Sequence, residues 1–200
     1  MRVHICGRGT VGLATGEGLT RFGQEVVYTD KGDAHQEIAA DVHFVCTPEG
    51  VVPEVVKILA LRPKRELIAI RSSTPPGTTA ELYESLQRPI VHNPEYLRAA
   101  MAEQDFLNAQ FTLIGLPAPE VDPGPLFRIY RPMRVQIEIA HSTETELAKI
   151  LTNSYLATLI SFWNDAKGIA DALGVNSHTV ARIVALDQRV SKYGANMHGS

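Results

Sequence analysis

The chain has only two cysteines, Cys6 and Cys46, in 200 residues. Both sit in apolar runs that read as buried strands, which excludes a disulfide framework and fits a reducing, cytoplasmic setting. No apolar run reaches the roughly 20 residues of a membrane span. The opening "MRVHICGRG" lacks the apolar stretch and small-residue cleavage site of a signal peptide. Charge of one sign is lacking too. With 19 Lys and Arg against 22 Asp and Glu, the net charge is −3, so nothing calls for nucleic acid or an anionic membrane as a partner. The seven histidines are scattered without ligand spacing, and no metal site is read from them. There are no sequence repeats and no low-complexity segment.

What is present is a regular alternation of short apolar runs and helical patterns, the signature of βαβ units on a parallel sheet. "VHIC", "EVVYT", "VHFVC" and "ELIAIRSS" read as the first four strands. Helices are expected over Thr10 to Arg21, over "VPEVVKILA" with Pro53 near its start, and within "PPGTTAELYESL". "PIVHNPEYL", "FTLIG" and "RVQIEIA" read as later strands, with one short helix before "FTLIG" and another in "APEVDPGPLFRIY".

From Glu144 the texture changes. Nearly thirty residues follow without proline, with apolar positions at helical spacing that include Leu147, Leu151, Tyr155, Leu159, Phe162 and Trp163. Such a helix spans roughly 40 Å at about 1.5 Å per residue. Leu159, Phe162 and Trp163 lie beyond the reach of a compact first domain and need a second apolar surface. Gly174 ends the helix, and Ser177 is expected to cap "HTVARIVAL". The division expected is residues 1–140 for the sheet domain and 141–200 for a helical connecting or dimerisation segment.

Gly7, Gly9 and Gly12 form G-x-G-x-x-G between the first strand and the first helix. Gly7 permits a tight turn, Gly9 lets the backbone approach a pyrophosphate, and Gly12 allows close helix–strand packing. Thr10 and Val11 open the helix, whose free N–H groups and dipole favour a phosphate. Asp30 ends the second strand, where a carboxylate accepts from both ribose hydroxyls and disfavours a 2′-phosphate. The expected fold is therefore α/β: a Rossmann-like parallel sheet with helices on both faces, a long C-terminal helix and a short helical segment. The expected cofactor is NAD.

"GRGTVGL", "FVCTP", "RSSTPPGTT", "NPEYLRAAMAEQDFLNAQFTLIG" and the long "ELAKILTNSYLATLISFWNDAKGIADALG" segment follow one another along the chain. In that order they resemble the UDP-glucose/GDP-mannose 6-dehydrogenases. The resemblance implies oxidation of a nucleotide sugar's C6 alcohol to a carboxylate with two NAD molecules, through a thiohemiacetal and thioester on a cysteine. It implies oxyanion stabilisation and substrate positioning by Lys149 and Asn153. These lie at i and i+4 on one helix face and can converge on one oxygen. Glu95 matches the carboxylate that assists thioester hydrolysis, and Ser73 stands where the family has a water-ordering threonine. Thr47 and Pro48, in "FVCTP", match positions beside the cofactor. The resemblance also implies a homodimer through the long helix.

The chain departs from the pattern in four ways. A second glutamate expected four residues after Glu95 is Ala99. The connection between Asp30 and "FVCTP" is shorter than in the family. The nucleophilic cysteine, in a "GGSCFPKD" loop, and a second Rossmann-like domain are both expected beyond Ser200. These 200 residues are thus expected to be an NAD-binding part that is inactive alone. A small 3-hydroxyacid dehydrogenase and a non-catalytic NAD-binding or dimerisation module are the alternatives. "NPEYLRAAMAEQDFLN" speaks against the first, whereas Ala99 and the missing cysteine speak for the second.

Overall fold

A computed structural model describes residues 1–195, apart from the side chain of Gln36. The end of the segment expected to run to Ser200 lies outside the described residues. Seven strands form one sheet: β1 (Arg2–Cys6), β2 (Glu25–Thr29), β3 (Val42–Val45), β4 (Leu67–Ile70), β5 (Ile90–His92), β6 (Phe111–Leu116) and β7 (Gln136–His141). Their order is β2-β1-β3-β4-β5-β6-β7. Every pairing is parallel except β5–β6, where His92 faces Gly115 in antiparallel sense. The strands expected from "ELIAIRSS" and "PIVHNPEYL" are shorter than read, ending at Ile70 and His92. The chain beyond them leaves the ladder to build loops at the strands' carboxyl ends.

Two apolar layers sandwich the sheet, because consecutive strand residues point to opposite faces. Val3, Ile5, Val42 and Phe44 face α1 (Thr10–Arg21), α4 (Ala102–Leu107) and α5 (Gly124–Tyr130), packing with Leu19, Phe106 and Leu126. Cys6, Val45, Ile68 and Ile70 face α2 (Val52–Leu59) and α3 (Thr78–Leu86). Val52, Val55, Val56 and Leu59 make the buried stripe of α2, the i, i+3, i+4, i+7 pattern of a helix laid on a sheet.

A row of polar side chains interrupts the second layer. His4 and His43 are fully buried and meet Nδ1 to Nδ1 at 2.9 Å. His4 Nε2 lies 2.7 Å from Thr29 Oγ1, which lies 2.5 Å from His35 Nδ1. At the other end, His43 Nε2 is 2.8 Å from Glu66 Oε2, and Arg62 donates to the same carboxylate. One set of protons satisfies the whole row. His35 Nδ1–H donates to Thr29, Thr29 to His4 Nε2, His4 Nδ1–H to His43, and His43 Nε2–H to Glu66. Burial drives the two strand imidazoles, His4 and His43, toward the neutral form. Burial, reinforced by His43 and His35, pushes His4 down to about 3, and burial likewise lowers His43. Against the desolvation of its own burial, Arg62 and His43 hold the Glu66 carboxyl below the usual range.

The chain falls into two contact units, Met1–Ala148 and Lys149–Ser200. The long helix α6 (Ser142–Ala172) begins two residues earlier than the periodicity indicates and is 31 residues long. Its first turns belong to the first unit. Glu146 is fully buried there and accepts from Gly77 N at 2.7 Å, Thr79 N at 2.9 Å and Thr79 Oγ1 at 2.6 Å. Its carboxylate thus satisfies donors that the start of α3 would otherwise leave unpaired.

In the second unit, α7 (Ser177–Val184) is capped by Asn176, whose side chain accepts from Thr179 N at 2.9 Å. Ser177, expected as the cap, is the first helical residue. Trp163 also departs from expectation. It is 3% exposed and packs on Ala166, Ala181, Val190 and Ala195 within its own unit. The chain after Gly174 turns back and supplies the surface that a lone helix would lack. No helix among the described residues is long and apolar enough to cross a membrane.

Glu146→Ala is expected to lower stability by about 2–4 kcal/mol, since it strips charge-assisted bonds from several buried donors. Glu144→Ala, on the exposed side of the same turn, should cost less than about 1 kcal/mol. Urea unfolding of both variants beside the parent measures the difference.

Candidate functional site

β2 and β3 pair on opposite sides of β1, so the strand order reverses between β1 and β3. In open α/β sheets the crevice beyond the strands' carboxyl ends at such a point is where ligands bind. The loops there come from Gly7 after β1, Thr47 after β3 and Ser72–Ser73 after β4. An open cleft of about 220 Å³ is lined by Val11, Cys46, Thr47, Arg71, Ser73 and Glu95, among others.

The three glycines divide the work as their positions suggest. Gly7 has φ +104°, and a Cβ on it would lie 2.5 Å from the Cys46 carbonyl oxygen. A Cβ on Gly12 would lie 1.9 Å from the Gly7 carbonyl oxygen. Gly9 differs: nothing lies within 4 Å of where its Cβ would be. Gly9 is also the N-cap of α1, with no side chain capping the helix. The first-turn N–H groups of Thr10, Val11 and Gly12 therefore lack intrahelical partners beside open space, the arrangement that receives an anion.

Across the cleft, Ser72 Oγ donates to the Thr47 carbonyl oxygen at 2.6 Å, tying the β3 and β4 loops together. Thr47 Oγ1 is buried and has no hydrogen-bond partner among the described residues. Pro48, exposed beside it, starts the short turn Glu49–Val51 that leads into α2. Asp30 is exposed at the end of β2, where its Oδ1 accepts from Lys31 N at 2.9 Å. Its backbone N–H donates to Asp33 Oδ2 at 2.7 Å, so the connection closes on itself.

Glu95 lies in the loop after β5, half-buried, and accepts from Leu97 N at 2.5 Å. Ser73 and Glu95 thus share the cleft with Val11 and Thr47. Lys149 and Asn153 belong to the second unit, on α6. Lys149 is 4% exposed and Asn153 is exposed. Ala99, where a second glutamate is expected, is exposed in a single turn before α4.

Arg71 is the residue that sequence reasoning passed over, although it opens the quoted "RSSTPPG". It is 4% exposed and donates through Nη1 to Asn93 Oδ1 and Tyr130 Oη, both at 2.9 Å. Its guanidinium lies 5.7 Å from the ring centres of both Phe44 and Phe106. Its Nε has no hydrogen-bond partner among the described residues. A buried cation beside the cleft, held by aromatic faces and neutral acceptors, gives this corner a positive potential. The only signal in the sequence was an arginine directly after a fully apolar strand.

Cys46 lies just past the end of β3 and lines the same cleft. Burial pushes its thiol up to about 12, and Arg71 offsets this only in part. Cys6 is fully buried, and its thiol is pushed up further by the same cause. Both are free thiols.

The pattern of the UDP-glucose/GDP-mannose dehydrogenase family, central domain, matches residues 143–199. The UDP-glucose 6-dehydrogenase of Rickettsia conorii is 33% identical over 132 residues, which cover 63% of this chain and 30% of that protein. Residues 143–199 thus carry the central-domain pattern of the UDP-glucose/GDP-mannose dehydrogenase family, and most of the chain is similar to proteins of that family. The UDP-glucose 6-dehydrogenase YwqF of Bacillus subtilis is 26% identical over 247 residues, covering 95% of this chain and 56% of that protein. The fold matches that of a UDP-glucose dehydrogenase from Pyrobaculum islandicum with a TM-score of 0.87. That match has 21% identity and covers 97% of this chain and 58% of the other. The chain thus spans between about a third and somewhat over half of the family members it matches.

With a pKa near 12, Cys46 is expected to react with iodoacetamide at pH 8 about a hundredfold more slowly than free cysteine. The scarcity of thiolate outweighs the greater nucleophilicity of a more basic sulfur. Mass spectrometry of timed alkylation reads the rate. A rate equal to that of free cysteine would show that the cleft activates the thiol.

Proposed function

We propose that this chain is the NAD-binding part of a nucleotide-sugar 6-dehydrogenase, acting in the cytoplasm on a UDP- or GDP-sugar. The observation that carries the reading is the pairing, at the point where strand order reverses, of open space at Gly9 with an unsatisfied buried hydroxyl at Thr47. Backbone N–H groups of α1 would hold the pyrophosphate, Asp30 the ribose hydroxyls, and Thr47 and Pro48 the wall beside the nicotinamide. Bound there, the dinucleotide supplies a hydride acceptor. At about 220 Å³ the cleft is smaller than the roughly 300–1,000 Å³ of a complete ligand pocket. It suits one end of an extended dinucleotide laid across the sheet.

The remaining roles fall to this chain's polar groups. Glu95 is suited to accept a proton from water at the cleft, with Ser73 holding that water in place. Lys149 and Asn153, four residues apart on α6, would stabilise an oxyanion and position the substrate. Neither cysteine suits the covalent step, since Cys6 is fully buried and Cys46 stays protonated. In this reading the 200 residues hold the cofactor and do not by themselves carry the alcohol to the acid.

Titration calorimetry should find NAD binding at least tenfold more tightly than NADP, with the ratio falling in Asp30→Ala. In the same preparation, UDP-glucose or GDP-mannose should yield no NADH. Equal affinity for the two cofactors would show that Arg8 or Lys31 outweighs Asp30, and two NADH per sugar would place the nucleophile within this chain.

Self-association is the second part of the proposal. Leu151, Tyr155, Phe162 and Ile169 on α6 are 53–64% exposed. At 100° per residue they fall within about 40° of one another around α6, a single apolar stripe. The occupant proposed is the same stripe of a second copy, since a continuous exposed row of this length promotes association. Sedimentation velocity should show a dimer at micromolar concentration and a monomer for Tyr155→Asp/Phe162→Asp. A monomeric parent would overturn this part. Trp163, being buried, is no probe of it.

A further inference from the structure

The histidine row contains a feature that a dinucleotide site does not use. One ligand atom each from His4, Cys6 and His35 lies within 4.8 Å of the other two, and all three residues are buried. Cys6 Sγ is 3.7 Å from His4 Nε2. A tetrahedral zinc with Zn–N near 2.0–2.1 Å and Zn–S near 2.3 Å has donor-to-donor edges of about 3.3–3.6 Å. The Cys6–His4 edge is already close to that length, and the edges to His35, at most 4.8 Å, must close to it as the ion binds.

The two imidazole nitrogens also converge on one point. Thr29 Oγ1 accepts from His35 Nδ1 and donates to His4 Nε2, at 2.5 and 2.7 Å. The outer side of His4 is already built as a metal-bound histidine requires. Its Nδ1 is engaged by His43, and His43 by the Glu66 carboxylate. Such a relay fixes the tautomer and leaves Nε2 as the lone pair facing inward. Spacing along the sequence gives no hint of this, because the three residues come from β1 and from the short turn His35–Glu37.

We infer that His4 Nε2, Cys6 Sγ and His35 Nδ1 form a binding site for Zn²⁺, with water or Thr29 Oγ1 in the fourth position. On binding, the ion takes the Cys6 sulfur as thiolate and the thiol proton leaves to solvent. His35 changes tautomer, losing the Nδ1 proton and taking one up at Nε2 through solvent, so that Nδ1 offers its lone pair. Thr29 Oγ1 exchanges its two imidazole contacts for the ion or turns away about χ1 to admit water. Access is from the connection after β2, where Lys31, Gly32, Asp33 and Ala34 are exposed and His35 follows directly. The ion would fasten that connection to the end of β1, immediately before Gly7. A site of two nitrogens and one sulfur suits zinc better than calcium or magnesium, which take oxygen ligands.

The test uses the untagged 200-residue chain with Zn²⁺ and Co²⁺ as probes. One Co²⁺ should bind per chain and give a thiolate-to-cobalt charge-transfer band in the near ultraviolet. The band should vanish in Cys6→Ser and in His35→Asn and persist in Cys46→Ser. Competition with a chromogenic chelator should show Zn²⁺ binding weakened about 10–100-fold in His43→Leu, which removes the outer-shell partner. His35 stands in a connection between strands, so its variant should fold even where a substitution at Cys6 does not, and circular dichroism checks this. No charge-transfer band in the parent overturns the inference. So does a band that survives in folded His35→Asn or Cys6→Ser.

Discussion

The cleft depends on how closely helix α1 approaches the sheet. Gly12 has no room for a Cβ against the Gly7 carbonyl, nor Gly7 against that of Cys46. Three backbone segments meet there with no side chain between them. That contact sets the first turn of α1 directly over the gap between β1 and β3, and it aims unpaired N–H groups at open space beside Gly9. A helix displaced outward by one methyl layer would still pack, but its dipole would no longer point at the crevice. The closeness of packing and the anion-receiving surface are one geometric fact.

Buried polar groups then fasten the walls. Arg71, Asn93 and Tyr130 form a closed set in which Tyr130 Oη also donates to Asn93 Oδ1 at 2.5 Å. Asn93 in turn donates to the Leu113 carbonyl oxygen at 2.6 Å, joining the end of β5 to β6 across the one antiparallel step. Glu146 performs a similar task for α3 and the first turns of α6. Buried networks of this kind are costly when incomplete and rigid when satisfied. In this protein the Arg71 set reaches the wall of the cleft itself. Thr47 Oγ1 and Arg71 Nε, the cleft's own unsatisfied atoms, are therefore the ones free to meet a ligand.

The histidine row follows a different logic. "VHIC" and "VHFV" look like apolar strands, yet alternate residues place His4 and His43 side by side in one layer. Held toward the neutral form by burial, His4 and His43 avoid the desolvation cost of buried charge, while Arg62 steadies the Glu66 carboxylate at the end of the row. The connection after β2 brings His35 to the same place.

By itself the sequence determined the repeating units and the glycine turn. Period-2 and period-3.6 patterns and glycine chemistry are local, so β1, α1, β2 and the 31-residue α6 could be read from neighbouring residues. The positions of Val11, Thr47, Ser73 and Glu95 were legible through their motifs. Only the tertiary structure decided that these four line one cleft and that β6 reverses against β5. The same holds for the Arg71 set, the Glu146 cap, the burial of Trp163 and the meeting of His4, Cys6 and His35. Each of these depends on which strand lies beside which, and on which face a helix turns inward. Those choices are made by packing between residues distant in sequence, and no local pattern records them.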